Sequence, residues 1–184
     1  MQGFKLDVFV EQLKAASTED DAYSKVRQLM DATFAHVDVI ARDIPELPGD
    51  DKVLYEDEHI SIWYVHFVPE LVVPPHDHQT QVAIGIIRGS ERNYLFRQHE
   101  NSLQLTGTAE LNPGDTFYLG PKAIHAATAC STTPCNGIHV YMAPLTKIQR
   151  SLFDWDTGAA CSFDDDSYEQ LKRGPEFLER YQAS

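Results

Sequence analysis

PPHDHQTQVAIGIIRGS, residues 74–90, is the stretch that decides the fold of this chain. Two prolines open it, the apolar run VAIGII (82–87) follows, and Arg88-Gly89-Ser90 ends it with a turn signal. A short apolar run between turn residues has the length of a buried strand rather than that of a helix. The stretch therefore predicts one strand of a β-rich domain.

Other short β-rich runs lie on both sides of this strand, over residues 52–145. They are KVLYED, HISIWYVHFV, RNYLFRQ, SLQLTGTAEL, TFYLG, HAATAC and GIHVYMAP. Turns that contain proline and glycine, such as Asn112-Pro113-Gly114-Asp115, separate the runs. Many short strands at a spacing of about 8–12 residues, without helices between them, are typical of a β-sandwich or β-barrel.

The N-terminal part has a different pattern, and residues 4–16 and 20–41 predict two helices. The apolar residues of the second segment recur every three or four positions and share one face: Tyr23, Val26, Met30, Phe34 and Val37. The polar stretch 17–20 is a candidate start signal for this helix. A further short helix is expected over residues 167–173, after the acidic patch 164–166, which is a solvated surface or a helix-start signal.

The composition is that of a globular protein, with 42% hydrophobic and 23% charged residues in a chain of 184. We expect one domain over residues 1–184, with a helical part (1–48), a β-barrel (52–145) and a C-terminal extension (146–184). A net charge of −13 argues against nucleic-acid binding, because phosphate contacts need clustered lysines and arginines.

No apolar run reaches the roughly 20 residues of a membrane helix. The N-terminus also lacks the basic-then-apolar order of a signal peptide, so a cytoplasmic protein without membrane contact is expected. The three cysteines, Cys130, Cys135 and Cys161, are an odd number without a framework spacing, which favours free thiols.

Among eight histidines, the triplet His76-Asp77-His78 is distinctive. Residues i and i+2 of a strand point to the same side, so both imidazoles can reach one metal ion while Asp77 faces away. A third ligand must come from another strand. His125, which follows a Gly-Pro turn and begins a strand, is the first candidate, and His139 is the alternative. A chance pair of histidines on a strand is the competing interpretation.

Two segments resemble the motifs of the cupin superfamily: PPHDHQTQVAIGIIRGSERNYLF (74–96) and LNPGDTFYLGPKAIHAATA (111–129). The resemblance implies a mainly β fold, a cupin double-stranded β-helix or jelly-roll-like small barrel, with N-terminal α-helices. The general cupin pattern places a glutamate four or five residues after the second histidine, where this chain has Val82 and Ala83. Three neutral imidazoles then leave the charge of a divalent ion uncompensated, which favours an anionic substrate on the metal.

The three-histidine set His76, His78 and His125 resembles that of the thiol dioxygenases, the cysteine dioxygenases and 3-mercaptopropionate dioxygenases. The resemblance implies Fe(II), although nickel or zinc also suit such ligands, and it implies a small-molecule thiol substrate and O2 as partners. Both oxygen atoms are transferred to sulfur, giving a sulfinate. The family segment Ser-X-His-X-Tyr implies His139 as an orienting residue and Tyr141 as the hydroxyl beside the substrate. Gly137 replaces the serine at the far end of this relay.

Substrate choice in the family depends on the arginine that binds the substrate carboxylate. Arg150, nine residues after Tyr141, matches the arginine of the mercaptopropionate type, and Lys52 is the nearest match to that of the cysteine type. A guanidinium holds a carboxylate through two parallel hydrogen bonds, which lysine cannot do. The mercaptopropionate type is therefore favoured, with a surface role for Arg150 as the alternative. Ala83 stands where animal cysteine dioxygenases carry a crosslinking cysteine, so no crosslink is expected.

Two other function classes stay open at this point. One is a metal-dependent cupin oxygenase or isomerase that acts on a non-thiol small acid, and the other is a non-catalytic metal-binding cupin. A monomer and a homodimer are both compatible with the sequence.

Overall fold

The computed structural model describes residues 3–47, 49 and 51–181. Its α-helices are α1 Leu6–Ser17, α2 Ala22–Phe34, α3 Val37–Asp43 and α4 Asp165–Leu171. Its strands are β1 Lys52–Glu56, β2 Ser61–Phe67, β3 Val72–His76, β4 Val82–Arg88, β5 Glu91–His99, β6 Ser102–Leu111, β7 Thr116–Leu119, β8 Ile124–Ala129, β9 Cys135–Tyr141, β10 Ser151–Phe153 and β11 Ala160–Ser162. Short 3-10 helices cover Leu145–Lys147 and Pro175–Tyr181.

The strands form two antiparallel sheets. Sheet A has the order β1-β2-β9-β4-β7, and sheet B has the order β11-β10-β3-β8-β5-β6. From β2 to β5 and again from β6 to β10, the chain passes from one sheet to the other at every step. This alternation is that of a double-stranded β-helix, and it confirms the predicted mainly β barrel with N-terminal helices.

The N-terminal helices cover the outer face of sheet A. Alternation along β9 turns Ile138 and Val140 toward the helices, where they join one buried cluster with Phe34. Gly85 on β4 makes this contact possible, because a Cβ atom there would lie 2.4 Å from the Phe34 ring. The interleaved β4 residue Ile84 belongs to a different buried cluster, on the other side of the sheet.

The helix predicted over residues 20–41 is two helices, and this is a correction to the sequence analysis. Ala35 and His36 separate α2 from α3, and His36 has φ −120° and ψ 40°, outside the helical region. The break lets both Phe34 and Ile40 reach the same apolar cluster. Residues 17–20 do not cap α2; the hydroxyls of Ser17 and Thr18 instead donate to carbonyls at the end of α1.

Sheet B continues beyond the barrel boundary expected at residue 145, because β10 pairs with β3 and β11 pairs with β10. The acidic patch is a helix-start signal: the Asp164 side chain accepts the Ser167 backbone N–H at 2.9 Å and caps α4. Positions 48 and 50 and the chain ends, 1–2 and 182–184, lie outside the described residues.

All three cysteines are free thiols, as predicted. Among the residues that the structure describes, no helix has the length and apolar character needed to cross a membrane.

Candidate metal centre

Three buried histidines meet inside the barrel. His76 ends β3 and lies in register with His125 on the neighbouring β8, and His78 follows two residues after the end of β3. The His76 and His125 rings lie 4.4 Å apart between centroids, and the His78 ring lies 4.8 and 5.0 Å from them. One nitrogen from each ring lies within 4.8 Å of the other two. The structure therefore brings together the set in which His125, not His139, is the third member.

The arrangement of nitrogen atoms fits a divalent metal ion. His76 Nδ1 faces the Pro74 carbonyl at 2.8 Å, so Nδ1 carries the hydrogen and the Nε2 lone pair is free. His76 Nε2 and His78 Nε2 are 3.2 Å apart. Two nitrogens that share an ion at about 2.1 Å are separated by about 3.0–3.4 Å. His125 Nε2 is buried without a hydrogen-bond partner. A buried nitrogen whose lone pair has no donor nearby is what a metal-ligating histidine requires.

Burial keeps these imidazoles neutral. It lowers the pKa of His76 to about 4 and the pKa values of His78 and His125 well below the usual range. For His78, the two neighbouring histidines lower the pKa further. At neutral pH all three rings are therefore in the uncharged form that binds metals.

The group of potential ligands contains no carboxylate, within the part of the chain that the structure describes. Asp77 is buried between the two histidines of the triplet, but it faces away as alternation predicts. Its Oδ1 accepts the Ser151 backbone N–H at 3.0 Å, and its Oδ2 accepts from Gln79 Nε2 at 2.6 Å. Asp77 thus fixes the chain directly after Arg150.

His139 and Tyr141 lie on β9 beside the histidine group. The Tyr141 hydroxyl is 3.3 Å from His139 Nδ1, and the Tyr141 ring is 5.2 Å from the His78 ring between centroids. Burial raises the pKa of Tyr141, so its hydroxyl stays protonated. Packing explains why position 137 is a glycine. A Cβ atom there would lie 2.7 Å from the Gly85 carbonyl oxygen, so a serine would require the strands to move.

Two further buried polar residues, Glu91 and Asn93 on β5, were missed by the sequence analysis. They are 1% and 0% exposed. Asn93 Oδ1 lies 2.7 Å from His125 Nδ1, Asn93 Nδ2 donates to Glu91 Oε1 at 2.8 Å, and Glu91 Oε2 lies 3.7 Å from His139 Nε2. The sequence does contain a signal for them: Glu91 and Asn93 are polar residues two positions apart on a strand. Side chains two positions apart point to the same face, so the pair could have been assigned to one face together.

The histidines line a cavity of about 600 Å³, which we call the histidine cavity. Its other lining residues include His139, Tyr141, Arg150, Trp63, Phe67, Phe163 and Tyr168. A larger, more open depression beside α1 contains none of these residues, and its lining is mainly apolar.

Arg150 is half-buried, and its guanidinium carbon lies 4.0 Å from the centroid of the Phe163 ring. Burial lowers the pKa of Arg150. Among the described residues, no carboxylate lies within 4.0 Å of its guanidinium. Lys52, by contrast, is exposed on β1 and is not among the residues that line the cavity. Arg150 therefore offers an acidic ligand a guanidinium without a close carboxylate, in a cavity that Asp51 and Asp165 also line.

No family model matches the chain. Solved structures similar to it include an uncharacterized conserved protein with a double-stranded β-helix domain from Klebsiella pneumoniae, at 19% identity over 63% of this chain and 87% of that chain, with a TM-score of 0.46. An RmlC-like cupin family protein from Methanocaldococcus jannaschii is 16% identical over 57% of this chain and 94% of its own, with a TM-score of 0.44. The DMSP lyase DddQ from Ruegeria pomeroyi DSS-3 is 18% identical over 55% of this chain, with a TM-score of 0.45, and the match spans 50% of the lyase. Similarity of this size carries no conclusion about activity.

Proposed function

We propose that the protein is a non-heme iron thiol dioxygenase, which oxidises a small thiol carboxylate to its sulfinate with O2. One observation carries the proposal: three neutral histidines without a carboxylate ligand share a cavity with the unpaired guanidinium of Arg150. Because these histidines leave the charge of a divalent ion uncompensated, a thiolate is a favoured direct ligand. The reaction is balanced, since R–SH and O2 give R–SO2H and both oxygen atoms join sulfur.

Seven residues that line the cavity have a part in the proposed reaction. His76, His78 and His125 would hold Fe(II), which would supply Lewis-acid and redox chemistry for the reaction of the thiol with O2. Arg150 would hold the substrate carboxylate through two parallel hydrogen bonds, with Phe163 stacked on the guanidinium. Tyr141 would present a protonated hydroxyl beside the substrate, with His139 as its orienting partner.

Among thiols, the 3-mercaptopropionate type is favoured over the cysteine type. Arg150 lines the histidine cavity, while Lys52, the residue that would serve the cysteine type, is exposed outside its lining. A substrate whose carboxylate reaches Arg150 while its thiol reaches the histidines would counter the charge of the guanidinium and part of that of the metal ion. A thiol without a carboxylate leaves the guanidinium of Arg150 half-buried and unpaired.

Oxygen uptake by the iron-loaded protein tests the proposal. We expect one O2 consumed for each sulfinate formed, with 3-mercaptopropionate used better than cysteine, and cysteine better than cysteamine, which lacks the carboxylate. A protein that holds iron but consumes no O2 with any of these thiols would contradict the proposal. An oxygenase or isomerase for a non-thiol small acid would then be the better account.

A further inference from the structure

Glu91 is a buried carboxylate without an evident role in the proposed reaction. It begins β5, next to β8 in sheet B, and its side chain is 1% exposed. A carboxylate this deeply buried needs hydrogen-bond donors around it, because leaving the charge unsolvated costs several kcal/mol. Its polar neighbours lead in two directions, to His125 through Asn93 and to His139 directly.

The first branch determines which nitrogen of His125 carries the hydrogen. Glu91 Oε1 can only accept from the Asn93 side chain, so the Asn93 amide must turn its NH2 group to Glu91, at 2.8 Å. The Asn93 carbonyl oxygen then faces His125 Nδ1 at 2.7 Å and needs a hydrogen there. His125 Nε2, which points to the other two histidines, is left with a bare lone pair.

The second branch, from Glu91 to His139, determines which nitrogen of His139 carries the hydrogen. Glu91 Oε2 lies 3.7 Å from His139 Nε2, which is ion-pair range and longer than a hydrogen bond. At this distance the electrostatic interaction still favours a hydrogen on His139 Nε2, because a carboxylate oxygen attracts an N–H group and repels a lone pair. With the hydrogen on Nε2, His139 Nδ1 accepts from the Tyr141 hydroxyl at 3.3 Å, which fixes the orientation of that hydroxyl.

We propose that Glu91 is a positioning residue whose two carboxylate oxygens set the tautomers of His125 and His139 together, and that it supplies the far end of the relay that Gly137 cannot supply. The inference rests on the proposed roles of these histidines. It accounts for a buried carboxylate on β5, which lies beside the strand of His125 in sheet B and reaches His139 of sheet A.

Substituting glutamine for Glu91 distinguishes a role in setting the tautomers from a role in packing alone, because glutamine has nearly the same shape as glutamate. A carboxylate offers two accepting oxygens, while an amide of the same shape offers one oxygen and one NH2 group. If the glutamine oxygen faces Asn93, its NH2 group faces His139 Nε2 and displaces the hydrogen there. If it is reversed, Asn93 turns around and His125 loses its Nδ1 hydrogen. Glu91→Gln can therefore keep one wild-type tautomer but not both.

Nitrogen NMR of histidine-labelled, metal-free protein at pH 7.5 reads the tautomers without any thiol. We expect the hydrogen on Nδ1 of His125 and on Nε2 of His139 in the wild-type protein. We expect one of these two to change in Glu91→Gln, and neither to change in Glu91→Asp, which keeps both accepting oxygens. The matched control is Glu110→Gln, an exposed glutamate on β6 that pairs with Arg92, and it should leave both tautomers unchanged. Wild-type tautomers at both histidines in Glu91→Gln would overturn the proposal.

A second variant covers the case in which Glu91→Gln does not fold. Asn93→Ala removes only the branch to His125, so the His125 tautomer should change while that of His139 stays. Cobalt(II) titration of the same variant should show affinity weaker by about 10- to 100-fold, the usual effect of losing such an outer partner. A change at His139 alone, or unchanged affinity and an unchanged His125 tautomer, would overturn the proposal. If the wild-type protein oxidises no thiol, the proposed function fails while the tautomer result stands by itself.

Discussion

The two faces of sheet A are built from the same strands but have opposite chemistry. On β9, Ile138 and Val140 pack under the N-terminal helices, while His139 and Tyr141 point into the histidine cavity. The helix-covered face is an apolar contact in which side chains such as Phe34 fill the space. The cavity face holds His139 and Tyr141, and His139 Nε2 is buried without a hydrogen-bond partner among the described residues.

This difference separates stability from function. A buried polar atom left without a partner costs about 1–3 kcal/mol, so the cavity face weakens the fold unless a ligand satisfies it. The helix-covered face gains free energy from every apolar contact. Substitutions on the helix-covered face should therefore change the free energy of unfolding, and substitutions in the cavity should change metal binding and turnover.

The largest expected effect is on the cavity side. His78→Ala should reduce bound iron to background and lower thiol-dependent O2 uptake at least about 1,000-fold, because two histidines cannot hold the ion. The free energy of unfolding of the metal-free protein should change little, since the substitution also removes a buried nitrogen without a partner. Metal analysis and denaturant titration check both statements, with the exposed His59→Ala as control. Iron retained at the wild-type level would show that His78 is not a ligand.

On the helix side, Phe34→Ala should lower the free energy of unfolding by about 3–5 kcal/mol, because the ring is 1% exposed and its loss leaves a cavity. The iron content of the folded fraction should be unchanged. Gly85→Ala should destabilise the wild-type protein through collision with the ring and do so much less beside Phe34→Ala. Denaturant titration of the four proteins measures this, with Val8→Ala, at a position 47% exposed, as control. Additive effects of the two substitutions would mean that the ring and Gly85 do not meet.

A smaller effect is expected at the cavity wall. Arg150→Gln should raise KM for 3-mercaptopropionate about 10- to 100-fold, because it removes a charged two-point contact with the carboxylate. Arg150→Lys should recover part of the loss, and metal content should not change in either variant. Steady-state kinetics with Arg97→Gln, an exposed arginine on β5, as control separate this from a general charge effect. An unchanged KM for the acid would assign Arg150 to a structural role.

The smallest effect concerns Tyr118, which joins sheet A to α2. Its hydroxyl donates to Asp31, and burial together with this hydrogen bond raises its pKa to about 12. Because the unfolded chain ionises near pH 10, this contribution to stability is complete below pH 10 and is lost as the pH rises toward 12. Tyr118→Phe should lower stability by about 1 kcal/mol at neutral pH and flatten the alkaline decline. Urea titrations between pH 8 and 11.5 check this, and equal alkaline slopes in both proteins would disprove the linkage.

The sequence was sufficient where a short-range pattern determines the outcome. His-X-His on a strand places two rings on one side, and the turn before His125 starts the strand that brings it to them. The sequence did not predict the break between α2 and α3, because the three- and four-residue spacing of apolar residues continues across it from Phe34 to Val37. The break depends on how both helices reach sheet A, which is a property of packing.

The sequence by itself determined the mainly β fold, the N-terminal helices and the histidines that could gather around a metal ion. These follow from alternation, spacing and turn residues, which act over a few positions. Only the tertiary structure showed that Glu91 and Asn93 connect His125 to His139, and that Gly85 excludes a side chain at position 137. Those relations depend on which strands become neighbours and in what register, and they join residues that are dozens of positions apart in the chain.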